Sequence, residues 1–159
     1  MKLIAVDIAD LKVSADVDSF LVTYALGSCI AVIVYDPIRK VGGMIHYMLP
    51  LSETSPEKAK IRPAMFADTG IPLLFRSMSD IGCNQGGLIV KVAGGGSLYP
   101  DDRTFSIGQR NYTILRRIFY KAGVMITAED VGGAKSRTTR LYIANGRCTI
   151  SSVGQEAEL

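Results

Sequence analysis

The stretch LVTYALGSCIAVIVYDPIRKVGGMIHYMLP, residues 21–50, decides the fold. Its middle, CIAVIVY at 29–35, is apolar at nearly every position and rich in β-branched residues. A run of that kind reads as a strand covered on both faces. DPIR at 36–39 is turn chemistry: an aspartate opens it and a proline fixes φ. VGGMIHYML at 41–49 returns as a second strand and stops at Pro50. The two runs therefore form a hairpin around a four-residue turn. The predicted register sets Tyr35 opposite Lys40 and Cys29 opposite His46, with opposed Cβ atoms about 5 Å apart. A slip of one residue, or a bulge at Gly42-Gly43, would turn His46 to the other face.

Outward from the hairpin, residues 51–63 (LSETSPEKAKIRP) are polar with two prolines and read as a surface loop. A helix is expected from Asp68 or Thr69, either of which can cap it, with Pro72 in its first turn. Ile71, Leu74, Phe75 and Met78 make one apolar stripe, and Gly82 stops the helix. Residues 88–92 read as a strand running into Gly94-Gly95-Gly96. A second helix fits 109–122, with Leu115, Ile118, Phe119 and Ala122 on one face and Gly123 as its stop. Strands are expected at 124–128, 138–143 and 147–153, the last two joined by an Asn145-Gly146 hairpin turn. The fold class is α+β: layered mixed β-sheets, sandwich-like, flanked by helices, in one domain over 1–159.

The chain has 159 residues, 48% hydrophobic and 21% charged, enough to bury a substantial core. Its formal charge of +3 comes without a Lys/Arg run or RNA-type aromatic motif, so no nucleic-acid partner is implied. One histidine rules out a multi-His metal site. Cys29, Cys83 and Cys148 are far apart and odd in number, which favours free thiols over a disulfide scaffold. Cys83 reads as an incidental helix-end residue and Cys148 as strand packing. No apolar run reaches the roughly 18 residues of a membrane span, and the N-terminus does not read as a signal peptide. The expectation is a soluble, cytoplasmic protein with no cofactor, no metal and no membrane insertion.

Cys29 and His46 are the pair that can carry chemistry. A free thiol has a pKa near 8.5 and is only a few per cent thiolate at neutral pH. An adjacent imidazole can take its proton, and the resulting ion pair would hold a thiolate able to attack an amide or ester carbonyl. The imidazolium would then protonate the leaving amine. Thr23 is a candidate to orient the imidazole through its hydroxyl. The turn through Gly27 and Ser28 to Cys29 can offer backbone N–H groups to an oxyanion. On composition alone the alternative stands beside this reading: a strand cysteine is usually a small buried hydrophobe, and a strand histidine a satisfied structural residue.

These residues resemble a family. Ala25-Leu26-Gly27-Ser28-Cys29, Tyr35-Asp36, Gly42-Gly43-Met44-Ile45-His46 and Met48-Leu49-Pro50 are similar to the signature of CheD, the chemoreceptor glutamine deamidases. Lys91, Gly94-Gly95-Gly96, Ile107-Gly108-Gln109-Arg110-Asn111, Asp130-Val131-Gly132-Gly133 and Arg137 continue the likeness over roughly 20–153. Ser136 departs from it, standing where the family has glycine. The resemblance implies hydrolysis of selected receptor glutamines to glutamate and ammonia, with Cys29, His46 and Thr23 as the catalytic set. It also implies chemoreceptor cytoplasmic helices and a CheC-type phosphatase as partners. It implies a layered fold like that of cysteine–histidine toxin deamidase domains. Apart from the resemblance, Gly94–Gly96 read as a tight turn or docking loop, Asn111 as a cap or brace at a helix start or a substrate contact, and Arg110, Arg116 and Arg117 as a solvated face.

Two function classes follow. The first is a cysteine amidohydrolase acting on protein glutamine, with methylesterase or transglutaminase chemistry as variants on the same nucleophile. The second is a non-catalytic module that docks on receptors or a CheC-type phosphatase and needs no reactive thiol.

Overall fold

The hairpin is the centre of the molecule. The computed structural model describes residues 1–97 and 106–159. Its strands and α-helices run, in order, β1 (Lys2–Ala5), β2 (Asp10–Ser14), β3 (Ser19–Leu26), β4 (Ile30–Asp36), β5 (Val41–Tyr47), α1 (Pro56–Ile61), α2 (Ala67–Asp80), β6 (Ile89–Gly94), α3 (Ile107–Ala122), β7 (Ala128–Val131), β8 (Arg137–Tyr142), β9 (Cys148–Ser152) and β10 (Gln155–Glu158). They form two five-stranded sheets, ordered β1-β3-β8-β9-β10 and β2-β5-β4-β6-β7. The β1–β3 and β6–β7 pairs are parallel and the other pairs antiparallel.

Two apolar layers hold this arrangement. One lies between the sheets: Ala31, Ile33, Tyr35, Met44 and Ala93 of the second sheet meet Leu21, Leu26, Leu141, Cys148 and Ile150 of the first. The other lies on the far side of the second sheet, where Val32, Val34, Ile45 and Val92 meet Ile71, Leu74 and Met78 of α2 and Leu115 and Phe119 of α3. Every residue of β4 and β5 is consequently buried, which is why their sequence lacks alternation. The α+β class with layered mixed sheets flanked by helices is the observed architecture.

The hairpin register differs from the expected one by two residues. Asp36 pairs with Val41 and Ala31 with His46, so the turn is 37–40. Lys40 adopts a left-handed conformation at φ 55°, and its amide returns to Asp36 O at 2.8 Å, which draws it into the turn. Asp36 Oδ1 accepts from the Ile38 and Arg39 amides. A two-residue slip preserves which face each side chain occupies. The β4–β5 ladder runs unbroken past Gly42-Gly43, with no bulge there. At Gly42 a side chain would press on Leu141 and Ile143 of the opposite sheet, at 2.6 Å each, so glycine lets the layers close.

Other boundaries moved for local reasons. The expected 51–63 loop contains α1, which buries none of its residues and so leaves no apolar stripe to read. α2 begins at Ala67, placing Pro72 inside it, and Asp68 holds the Ser52 amide and hydroxyl instead of capping. The strand expected at 124–128 starts only at Ala128, since Val124 and Ile126 pack on the helix-side core before pairing begins. β1, β2 and β10 are short strands with half-exposed or exposed faces. No described helix is long and apolar enough to cross a membrane.

Candidate active site

β3 carries a bulge after Thr23: Tyr24 and Ala25 together stand against the single Thr138 of β8, and Ala25 sits at φ 57°. The bulge ends pairing with the first sheet and sends the chain through Gly27 and Ser28 into β4 of the second. Thr23 thereby stays on one sheet while Cys29 starts the other. The Thr23 hydroxyl donates to Val6 O at 2.6 Å and contacts His46 Nδ1 at 2.7 Å. A hydroxyl has one proton. Since that proton goes to Val6, the imidazole must donate its own from Nδ1 to Thr23 Oγ1. This fixes the tautomer and leaves the lone pair on Nε2. His46 is fully buried, and Nε2 has no hydrogen-bond partner.

Cys29 lies one residue before β4, two positions from Ala31, and packs against the inter-sheet core that His46 also enters. It takes the diagonal position to His46, about 7–8 Å across the ladder by backbone, rather than the directly opposed one expected from sequence. Cys29 is half-buried and Ser28 exposed.

Burial disfavours the resting ion pair expected from sequence. Burial pushes the His46 imidazole down to about 4, with the Asp7 carboxylate pulling weakly the other way. Burial pushes the Cys29 thiol up, opposed in part by its own backbone N–H, which faces the sulfur. Desolvation penalises the charged form of each, and Nε2 makes no bond to sulfur that would repay it.

The segment bearing Cys29 is pinned from behind. Gly95 N–H donates to Cys29 O and Gly96 N–H to Gly27 O, both at 2.8 Å. At Gly94, φ is 111° and a side chain would collide with Cys29 O, so only glycine lets the loop come this close. Asn111 Nδ2, from α3, donates to Ser28 O at 3.0 Å and to Met48 O at 2.9 Å. One amide thus ties the segment bearing Cys29 to the strand end just past His46.

The family described as CheD chemotactic sensory transduction matches residues 48–152. The chain belongs to the CheD family. The probable chemoreceptor glutamine deamidase CheD 1 of Syntrophus aciditrophicus (strain SB) is 51% identical over 151 residues, covering 95% of this chain and 94% of that protein. The probable chemoreceptor glutamine deamidase CheD 2 of Anaeromyxobacter dehalogenans (strain 2CP-C) is 49% identical over 159 residues, covering 100% of each. The solved structure of Bacillus licheniformis hypothetical protein YfiH superposes with a TM-score of 0.44 at 19% identity, covering 76% of this chain and 49% of that one.

The CheD family match begins after Thr23, Cys29 and His46, which lie within the stretch that the full-length CheD relative covers. Sequence reasoning under-rated two other residues. Asn111 neither caps nor sits on the surface: Ser106 is the α3 cap, and Asn111 is fully buried in the fifth helical position. Arg137, also buried, donates to Gly94 O at 3.3 Å, Gly132 O at 2.6 Å and Asp130 Oδ1 at 3.1 Å. It braces the glycine loop that pins Cys29. A polar residue in an otherwise apolar helix stripe was the available signal for Asn111, and Arg137 was marked only as part of a motif.

Proposed function

We propose that this chain is a protein-glutamine deamidase acting on the cytoplasmic helices of bacterial chemoreceptors. Cys29 is its nucleophile, His46 its general base and acid, and Thr23 the residue that orients the imidazole. The observation that carries this reading is the unpartnered Nε2 lone pair, its tautomer fixed by Thr23, on the same inter-sheet face as the half-buried Cys29. Likeness to relatives named as chemoreceptor glutamine deamidases supplies the substrate class.

The reaction starts from neutral partners. As Sγ attacks the glutamine carboxamide carbon, Nε2 takes the thiol proton, so no stored thiolate is needed. Catalytic hydrogen bonds in unliganded enzymes are often long and tighten when substrate seats. The tetrahedral oxyanion is met by backbone N–H groups of the Gly27–Ser28–Cys29 turn, that of Cys29 foremost. Collapse expels ammonia, protonated from the imidazolium, and leaves a thioester. Water, deprotonated by His46, attacks that thioester, gives glutamate and returns the thiol. A CheC-type phosphatase is a second partner in this reading, and the cytoplasm its compartment.

Mass spectrometry of receptor cytoplasmic fragments, incubated with and without the protein, tests it. The native chain should raise selected glutamines by about 1 Da, the mass difference of hydrolysing an amide to an acid. Cys29→Ala and His46→Ala should abolish the change. Full activity in either variant would remove the mechanism, whereas no glutamine change with the native chain would favour the docking role.

A further inference from the structure

The carbonyls of Gly27, Ser28 and Cys29 are each held by a separate donor. Gly96 N–H takes the first and Gly95 N–H the third, both main-chain groups of one loop. The middle carbonyl, Ser28 O, is held by a side chain, Asn111 Nδ2. A trans peptide points its C=O and N–H in opposite directions. Fixing Ser28 O therefore aims the Cys29 N–H the opposite way, and among the described residues that amide has no main-chain acceptor. A peptide flip at this one bond would present a carbonyl to the substrate's developing negative charge in place of a donor.

We propose that Asn111 is a positioning residue for the deamidation. It latches the Ser28–Cys29 peptide so that the Cys29 N–H is preset to receive the oxyanion. The inference rests on the reading of Cys29 as nucleophile. Asparagine is a poor choice for a helix interior, and here it costs a buried Oδ1 with no partner. That cost is accepted where both donors of the amide are in use. The assignment of Nδ2 is fixed by its neighbours, since Ser28 O and Met48 O can only accept. The latch is also anchored: the Tyr47 hydroxyl donates to Asn111 O at 2.7 Å. At Gly108, one turn earlier, a side chain would collide with Gly96 O, so α3 packs directly on the glycine loop.

The test compares two reactions of one sulfur. Glutamine deamidation builds an oxyanion, whereas alkylation by iodoacetamide is a displacement and builds none. Asn111→Asp keeps the shape but replaces the donor with an acceptor. Its kcat on receptor fragments should fall by about 10²–10³, the value of one oxyanion donor. KM and the rate of Cys29 alkylation should change little. Should N111D not melt cooperatively, N111S makes the same comparison with a side chain too short to reach both carbonyls. An unchanged kcat, or an alkylation rate that collapses together with kcat, overturns the latch. Cys29→Ala run alongside separates the failures: activity surviving in C29A refutes the nucleophile itself, while an inactive C29A with a fully active Asn111 variant refutes only the latch.

Discussion

The direction of one proton decides what His46 can do. Because the Thr23 hydroxyl is committed to Val6 O, the imidazole is held as the Nδ1–H tautomer with its base on Nε2. Thr23→Val is nearly isosteric and removes that instruction. It should lower kcat about 10–100-fold, the range lost when the partner orienting a functional imidazole is removed. Steady-state kinetics with KM recorded checks it. Burial of His46 also sets a pH dependence. With its folded pKa near 4, below the ordinary 6.5, the unfolded chain binds more protons between those values. This group's contribution to stability is therefore fully present above pH 6.5, is lost progressively as pH falls, and changes no further below about 4. Chemical denaturation from pH 7 to 4 should show the loss, and His46→Gln should flatten that part of the curve. The acid limb of kcat/KM should sit near 4 rather than 6.5.

At the scale of elements, the hairpin was the most legible part of the sequence. Its two strands, its turn and the common face of Cys29 and His46 follow from the unbroken apolar runs around DPIR. The register was not legible, because nothing in the residue type of Lys40 announces a left-handed turn position. Parity survived since the slip was even. Asp36 now fastens that turn. Burial pushes its carboxyl up, yet the Arg39 and Ile38 amides and the Arg39 side chain outweigh this and hold it below the usual carboxylate range. Its stabilisation is present above pH 3.8 and lost as pH falls through the depressed value. Asp36→Ala should cost about 1–3 kcal/mol, the penalty of leaving buried partners unpaired. Denaturant melts give the figure, and activity measured well below the melting temperature should persist. Gly94→Ala should do the reverse. Its side chain meets Cys29 O in a backbone region that only glycine tolerates, so deamidation should fall further than stability.

Over the whole molecule, the site is a place where polar groups as well as apolar packing tie the two sheets. Thr23 of β3 bonds His46 of β5, and Arg137 of β8 bonds Gly94 O at the end of β6. These contacts join residues that are far apart in sequence. Periodicity cannot report them, which is why Arg137 was visible as part of a motif but not as a brace. Leu26 pairs with Arg137, so the guanidinium lies at the bulge where the chain leaves the first sheet for Cys29. It reaches two carbonyls and one carboxylate on two backbone segments, and this requires a planar fork with several donors. A lysine carries the same charge on one compact head and cannot span Gly94, Gly132 and Asp130 together. Arg137→Lys should therefore lower stability by about 3 kcal/mol, the lower end of the cost of breaking a buried ion pair, because Asp130 keeps some access to water. If the charge itself were what mattered, R137K would melt like the native chain, and thermal and denaturant melts of the two proteins decide between these outcomes. The glycine loop should loosen at the same time, so hydrogen exchange at the Gly95 and Gly96 amides, the two donors that pin the segment bearing Cys29, should speed up in R137K more than exchange in β4.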